Sequence, residues 1–278
     1  MRIELSDHFT YKKLLRFTLP TVLMLVCTSM YSVVDGFFVS NFVGKTSFAA
    51  VNLIFPVSMG VAALGFMLGT GGSAVVAKTI GEGKKELANQ YFSMVIYVGI
   101  ALSMIFSVIC VLFMPRIARM LGAEGTLLQD CIIYGRVLFV AETAFILQNM
   151  FQSFFVAAEK PGLSLKINIA AGLTNVVFDY VFIAAFRWGV AGAALATGMG
   201  QVVGGIVPLI YFARKNDSLL RLTGKVRLYG KVLAKTCGNG SSEMVTNLSS
   251  SLVNILYNFQ LMRLAGEDGV AAFGVIMY

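Results

Sequence analysis

The sequence predicts an all-α integral membrane protein: a polytopic helical bundle with a six-helix first lobe and the start of a second. Three observations carry that prediction. The 278 residues are 57% hydrophobic and only 13% charged, with a mean hydropathy of +0.79, where a soluble domain carries roughly a quarter charged residues. The charges fall in short clusters between long apolar runs, the pattern of a multi-span helical protein. The polar stretch 214–235 is followed by a second copy of the chain's own beginning.

Seven spans are expected, at about 15–42, 48–77, 89–115, 127–157, 163–186, 189–213 and 236–264. Each must be a helix, because a lipid-exposed strand leaves backbone groups unpaired. Span 1 follows Lys12, Lys13 and Arg16 and is too long for a signal-peptide core. Span 2 contains Gly65-x-x-x-Gly69 and span 6 contains Gly200-x-x-x-Gly204, small-residue spacings that let helices approach closely. Span 4 is unusually polar, with Arg136, Glu142, Gln148, Asn149 and Gln152. The chain therefore divides into a lobe over 1–213, a basic linker over 214–235, and the start of a second lobe over 236–278.

Of the 22 Lys and Arg residues, Lys45, Arg116, Arg119, Arg187 and Arg263 fall on one side and Arg136 lies inside span 4. All the others share the side of the N-terminus, which places that side in the cytoplasm and the chain in the plasma membrane. The positive net charge of +8 is thus a topology signal. The basic residues punctuate span ends and form no stripe with aromatics, which argues against nucleic-acid binding.

Shifted by 222 residues, 13–56 aligns without a gap on 235–278. Ser29 matches Ser251, Phe37 matches Phe259, Gly44 matches Gly266, and Ala49-Ala50 match Ala271-Ala272. Six spans per repeat gives both copies the same orientation, about an axis along the membrane normal. Few residues follow Gly269, too few to cross a bilayer, so a complete second repeat is expected to need roughly 170 more.

Four cysteines (Cys27, Cys110, Cys131 and Cys237) show no metal-ligand spacing, and the single histidine, His8, sits in the polar N-terminal arm. No nucleophile, metal or phosphate-binding arrangement can be assembled, so no enzyme activity is expected. The chemistry falls instead to the few ionisable groups inside the spans, which are costly there and functional by default. Asp35 in span 1 and Asp179 in span 5 stand seven and eight residues before the outer ends of their spans, about 10–12 Å deep at 1.5 Å per residue. Thr197 in span 6 lies at a similar depth. Asn175 shares a face with Asp179, Gln201 with Thr197, and Tyr31 with Asp35, each four residues away. Together they predict a polar pocket inside the first lobe that opens outward. Burial penalises a charged carboxylate, so the pocket can take up a proton; carboxylate, amide and hydroxyl oxygens suit Na+ equally. Glu142, on the same polar helix as Gln148, is read either as a cleft residue that contacts the exported compound or as a structural group, and Glu243, near the start of span 7, either as a group that attracts cations or as one that simply sits at the interface. The repeat partner of Asp35 is Tyr257, so the acid belongs to the first lobe alone.

Val34-Asp35-Gly36-Phe37-Phe38-Val39-Ser40 with Gly44, then Gly69-Thr70-Gly71-Gly72-Ser73, then Glu159-Lys160-Pro161 with Asn175-x-x-x-Asp179, then Gly189 through Thr197 to Gln201, together resemble the MATE (multidrug and toxic compound extrusion) family. The resemblance covers essentially the whole chain. It implies twelve helices in two six-helix lobes around a V-shaped cleft. It implies export of organic, often cationic, compounds in exchange for H+ or Na+, with the coupling cation at Asp35, Asn175, Asp179 and Thr197. No cofactor beyond that ion and no obligate protein partner is expected; the partners are small organic molecules and the bilayer. A lipid-linked precursor flippase of the same superfamily is the alternative. It needs a strongly basic cleft for its headgroup, and only Arg136 is an intramembrane base.

Overall fold

A computed structural model describes residues 11–224 and 227–277. Arg2, His8 and Lys225 lie outside them. Among the described residues there are seven α-helices and no strand: α1 (Tyr11–Phe38), α2 (Lys45–Gly81), α3 (Lys85–Met120), α4 (Gly125–Ala157), α5 (Pro161–Asp179), α6 (Gly189–Ala213) and α7 (Gly230–Met277). Two π-helical segments, Val39–Val43 and Tyr180–Ala185, continue α1 and α5.

Five of these membrane-length helices are apolar enough to span by composition: α1 and α5 with their π segments, α2, α3 and α6. The expected spans 4 and 7, which became α4 and α7, are too polar for that criterion. For α4 the reason is its position. It lies between α2, α3 and α6, and an encircled helix needs no apolar surface toward lipid. The helices at the periphery behave oppositely: α1 exposes Leu15, Leu19, Leu23 and Val26, and α3 exposes Met104, Ile105, Val108 and Leu112, as a bilayer requires.

Two apolar clusters hold the bundle. One gathers Phe48, Leu53, Ile54, Leu138, Phe139, Ile183 and Val190 toward the α1–α2 turn. The other gathers Leu68, Phe92, Phe151, Phe154, Phe155 and Phe212 toward the opposite end. Its rings interlock, with Phe92 edge-on to Phe154 at 4.8 Å and Phe151 stacked on Phe212 at 5.6 Å, arrangements aromatic quadrupoles favour. Between the clusters, four of the helices carry polar residues: Ser58 on α2, Glu142 on α4, Asn175 and Asp179 on α5, Thr197 and Gln201 on α6.

The expected linker is shorter than its polar composition suggests. Helix α7 begins at Gly230, and the preceding loop is strapped to the bundle. Leu220 is fully buried. The amide of Leu222 donates to the Phe212 carbonyl at 2.8 Å, that of Arg221 to Asn89 Oδ1 at 2.9 Å, and that of Thr223 to Ser93 Oγ at 2.9 Å. Asp217 accepts from Lys160 Nζ at 2.7 Å and Tyr211 Oη at 3.2 Å, and these partners hold its carboxyl below the usual carboxylate range.

The internal repeat has a backbone signature. Gly44 (φ 120°, ψ 172°) ends the first helix unit, and its counterpart Gly266 (φ 60°, ψ −149°) breaks α7, both in φ territory that only glycine adopts freely. The two turns meet. Lys45 pairs with Asp268, and Thr46 Oγ1 donates to Glu267 Oε2 at 2.7 Å. A shift of 222 residues converts one contact into the other, so they are a pseudo-two-fold pair. Below them α2 and α7 run antiparallel in close contact. Ser251 Oγ donates to the Pro56 carbonyl. Gly71 abuts the Thr236 carbonyl and Gly240 the Met67 carbonyl so closely that a Cβ at either glycine would strike backbone.

Candidate cation and substrate site

The polar layer is built by close helix approach. Gly172 on α5 lets the Tyr31 ring of α1 lie flat against it, since a Cβ there would sit 3.1 Å from Tyr31 Cε1. Gly200 on α6 does the same for α5: a Cβ would lie 2.9 Å from the Ala171 carbonyl oxygen and 3.1 Å from Asn175 Cβ. Small residues thus draw α1, α5 and α6 together.

The helices converge on Asp35, whose carboxyl is reached by the side chains of Asn175, Asp179 and Thr197. Asp179 is fully buried and Asn175 nearly so. Although these groups face one another, Asp35 Oδ1, both Asp179 oxygens and Thr197 Oγ1 have no directed hydrogen bond. Buried oxygens are rarely left so. Two buried carboxyls side by side are stable only with a positive partner between them, a proton or a metal cation, because an uncompensated buried charge is costly.

Both acids stand at a change of helical type. Asp179 is the last α residue before the π segment Tyr180–Ala185, and Asp35 precedes the π segment Val39–Val43 by four residues. π turns are rare and gather at functional sites. The wider turn swings the end of each helix without unwinding it.

A cavity of about 520 Å³ opens beside the cluster, and Tyr31, Asp35, Asn175, Thr197, Gln148 and Gln201 stand in its wall. Gln201 Oε1 is buried and unpartnered. Asp35 is the one carboxylate in that wall, and no Lys or Arg joins it among the described residues. Aromatic rings from Phe55, Phe145 and Phe273 supply apolar surface.

Two expected cleft residues lie elsewhere. Glu142 is fully buried between α2 and α4, where Ser58 Oγ donates to its Oε2 at 2.7 Å and Oε1 has no partner; it is not in the cavity wall. Glu243 is exposed on α7, away from the cavity. The difference at Glu142 comes from the face it occupies: α4 is polar on several sides, and Glu142 turns toward α2.

Other wall residues were not singled out from the sequence: Tyr134 on α4, Asn52 on α2, and Asn254 and Asn258 on α7. Asn258 Nδ2 donates to the Asn52 carbonyl at 2.8 Å. A signal for the α7 residues was present. Asn247, Ser251, Asn254 and Asn258 recur at helical spacing along one stripe.

The comparisons place this geometry among known proteins. The family model described as MatE matches residues 20–181. "Multidrug export protein MepA" of Staphylococcus saprophyticus is 24% identical over 265 residues, covering 95% of this chain and 58% of that protein. A solved structure described as the inward-facing conformation of a multidrug resistance MATE family transporter of the MOP superfamily superposes with a TM-score of 0.83 at 28% identity, over 88% of this chain and 56% of that one. An outward-facing structure described in the same terms also gives 0.83, at 26% identity, over 95% of this chain and 58% of that one. The chain thus spans little more than half the length of these relatives.

Proposed function

The chain belongs to the MatE family, and on that premise we propose that it forms the first lobe, with the start of the second, of a cation-coupled exporter of organic, often cationic, compounds at the plasma membrane. The observation that carries the reading is the cluster at Asp35, Asn175, Asp179 and Thr197, whose polar groups converge beside a large cavity while Asp35 Oδ1, both Asp179 oxygens and Thr197 Oγ1 lack a directed hydrogen bond. The cluster binds H+ or Na+. The cavity binds the exported compound, its rings held by aromatic faces and its positive charge drawn to Asp35. Cation and compound then compete for one region, because neutralising Asp35 removes the attraction that holds a cationic compound.

The distribution of Lys and Arg sets the N-terminus in the cytoplasm. The turns at Gly44 and Gly266 then lie outside, where the Lys45–Asp268 and Thr46–Glu267 contacts hold the outer end closed. Opening to the outside separates these turns as the lobes rock. A flippase for a pyrophosphate-linked lipid fits less well, because among the described residues no Lys or Arg lines the cavity and Arg136 is exposed on α4.

The test is ethidium efflux from cells expressing the full-length protein that carries this chain, with Asp35→Asn and Asp179→Asn beside it. A sodium pulse and an acid pulse are applied separately. The expected result is efflux driven by one of the two pulses and lost in either variant at equal expression. Normal efflux from both variants would remove the coupling role from this cluster. No export across a panel of dyes would favour the flippase.

A further inference from the structure

The polar surface that begins at the cation cluster continues past it, toward the end where α1 starts. On α5, Asn168 and Ser164 follow Asn175 along one face, seven and eleven residues away. Gln148 and Gln152 face them from α4. Between these helices and Gly204 of α6 lies a separate void of about 10 Å³, and Gln148 and Gln152 stand in the walls of both the void and the large cavity. The void begins about 10 Å beyond Asn175, from the 1.5 Å rise over seven residues.

Two details make it a built site. Asn168 lines the void, is only 4% exposed, and its Oδ1 has no hydrogen-bond partner. A buried amide oxygen left dry is costly, whereas a polar void of this size accommodates one water. Gly204, in turn, makes the space that Gln148 occupies. A Cβ there would lie 2.8 Å from Gln148 Nε2 and closer still to the rest of its amide. Among the described residues no charged side chain lines the void, so it suits a neutral ligand. One helical turn beyond Ser164, Lys160 and Tyr211 meet Asp217 at the surface.

We propose that this void holds a resident water and is a station on a hydrated lane between α4, α5 and α6, by which the cation released at Asp35 and Asp179 leaves toward the α1 end of the bundle. The lane rests on the coupling role assigned to those acids; the water site does not. Passage makes and breaks only hydration and hydrogen bonds: the cation exchanges oxygen partners from the cluster to water, and a proton travels as hydronium.

Radiolytic hydroxyl labelling of the purified protein tests the water directly, because a bound water generates the radical in place. Phe151 and Phe155 line the void at 1% exposure each, and Phe139 is as buried but remote from it. The expected result is labelling of Phe151 and Phe155 well above Phe139, falling to the Phe139 rate in Asn168→Leu, which fills the void. Gly204→Ala, which pushes the Gln148 amide into the void, gives the same loss by a second route. Equal labelling of all three rings in the unsubstituted protein would show the void to be dry and overturn the proposal. The lane is read in proteoliposomes of the full-length protein. Asn168→Leu slows ion-driven export about tenfold, the effect of about 1.4 kcal/mol of added barrier, with substrate affinity unchanged, and Asn168→Ser restores it. An unchanged rate in Asn168→Leu overturns the lane. Absence of any ion dependence in the unsubstituted protein refutes instead the coupling role of Asp35 and Asp179, and the labelling result still decides the water.

Discussion

Replacing Asp179 with Asn is expected to stabilise the fold and abolish coupling together. Asp179 is fully buried, and neither of its oxygens has a directed partner; Asp35 Oδ1 and Thr197 Oγ1 lack one as well. Each orphaned buried acceptor costs roughly 1–3 kcal/mol. Asn has nearly the same shape and brings an amide that donates toward Asp35. Satisfying one such oxygen, while removing one of two adjacent carboxyls, is worth about 1–3 kcal/mol. One kcal/mol moves the melting temperature of a chain near this size by about 2–4 °C, so the variant should melt about 2–12 °C higher. The chain carries its own reporter: its single tryptophan, Trp188, stacks on Phe182 with ring centroids 5.0 Å apart, just past the π segment that follows Asp179. Melting followed by tryptophan fluorescence in detergent, beside ion-driven dye export, gives both quantities. A lower melting temperature would refute the claim that these oxygens are unsatisfied. A higher one with export intact would leave the acids as packing groups.

Three further outcomes follow from the packing. Ser58→Ala strips Glu142 of its hydroxyl donor, leaving both carboxyl oxygens bare; stability should fall by about 1–3 kcal/mol, and a double-mutant cycle with Glu142→Gln should show coupling between the sites. Gly71→Ala and Gly240→Ala each aim a methyl at backbone, which no rotamer change relieves; each should cost about 1–3 kcal/mol, while Gly81→Ala, with open space around it, should cost nothing in the same thermal melt. Cysteines at Thr46 and Glu267 should cross-link under mild oxidation, since the native side chains are hydrogen-bonded, and the cross-link should stop export until it is reduced; export by the cross-linked protein would show that the turns need not separate.

The site was legible where geometry is forced. Helical rise and alternating span direction fix depth, so Asp35, Asp179 and Thr197 could be placed in one layer before their contacts were known. Direction around a helix axis was harder. On α4 the polar residues Arg136, Glu142, Gln148, Asn149 and Gln152 surround the helix, and no apolar stripe marks which side meets the cavity. The sequence therefore leaves Glu142 open between a cleft role and a structural one, and the structure turns it to Ser58. The π segments carry no local residue signature, since an inserted residue in the ladder depends on neighbouring helices. The docking of the loop before α7 is hidden in the sequence by its basic residues; Leu220, Leu222 and Tyr229, the ones that dock, are few among them. The asparagine stripe of α7 was readable, but its residues are individually ordinary.

The paired turns at Gly44 and Gly266 have one more consequence. Positions 45 and 267 are counterparts, as are 46 and 268, so a dimer of two identical first halves would set Lys45 against Thr46 twice over. Two identical second halves would set Glu267 against Asp268, acid facing acid at both contacts. Only the mixed pairing gives opposite charges in one contact and a hydroxyl–carboxylate bond in the other. Divergence of four residues thus turns a self-complementary junction into one that accepts its sister and rejects its twin.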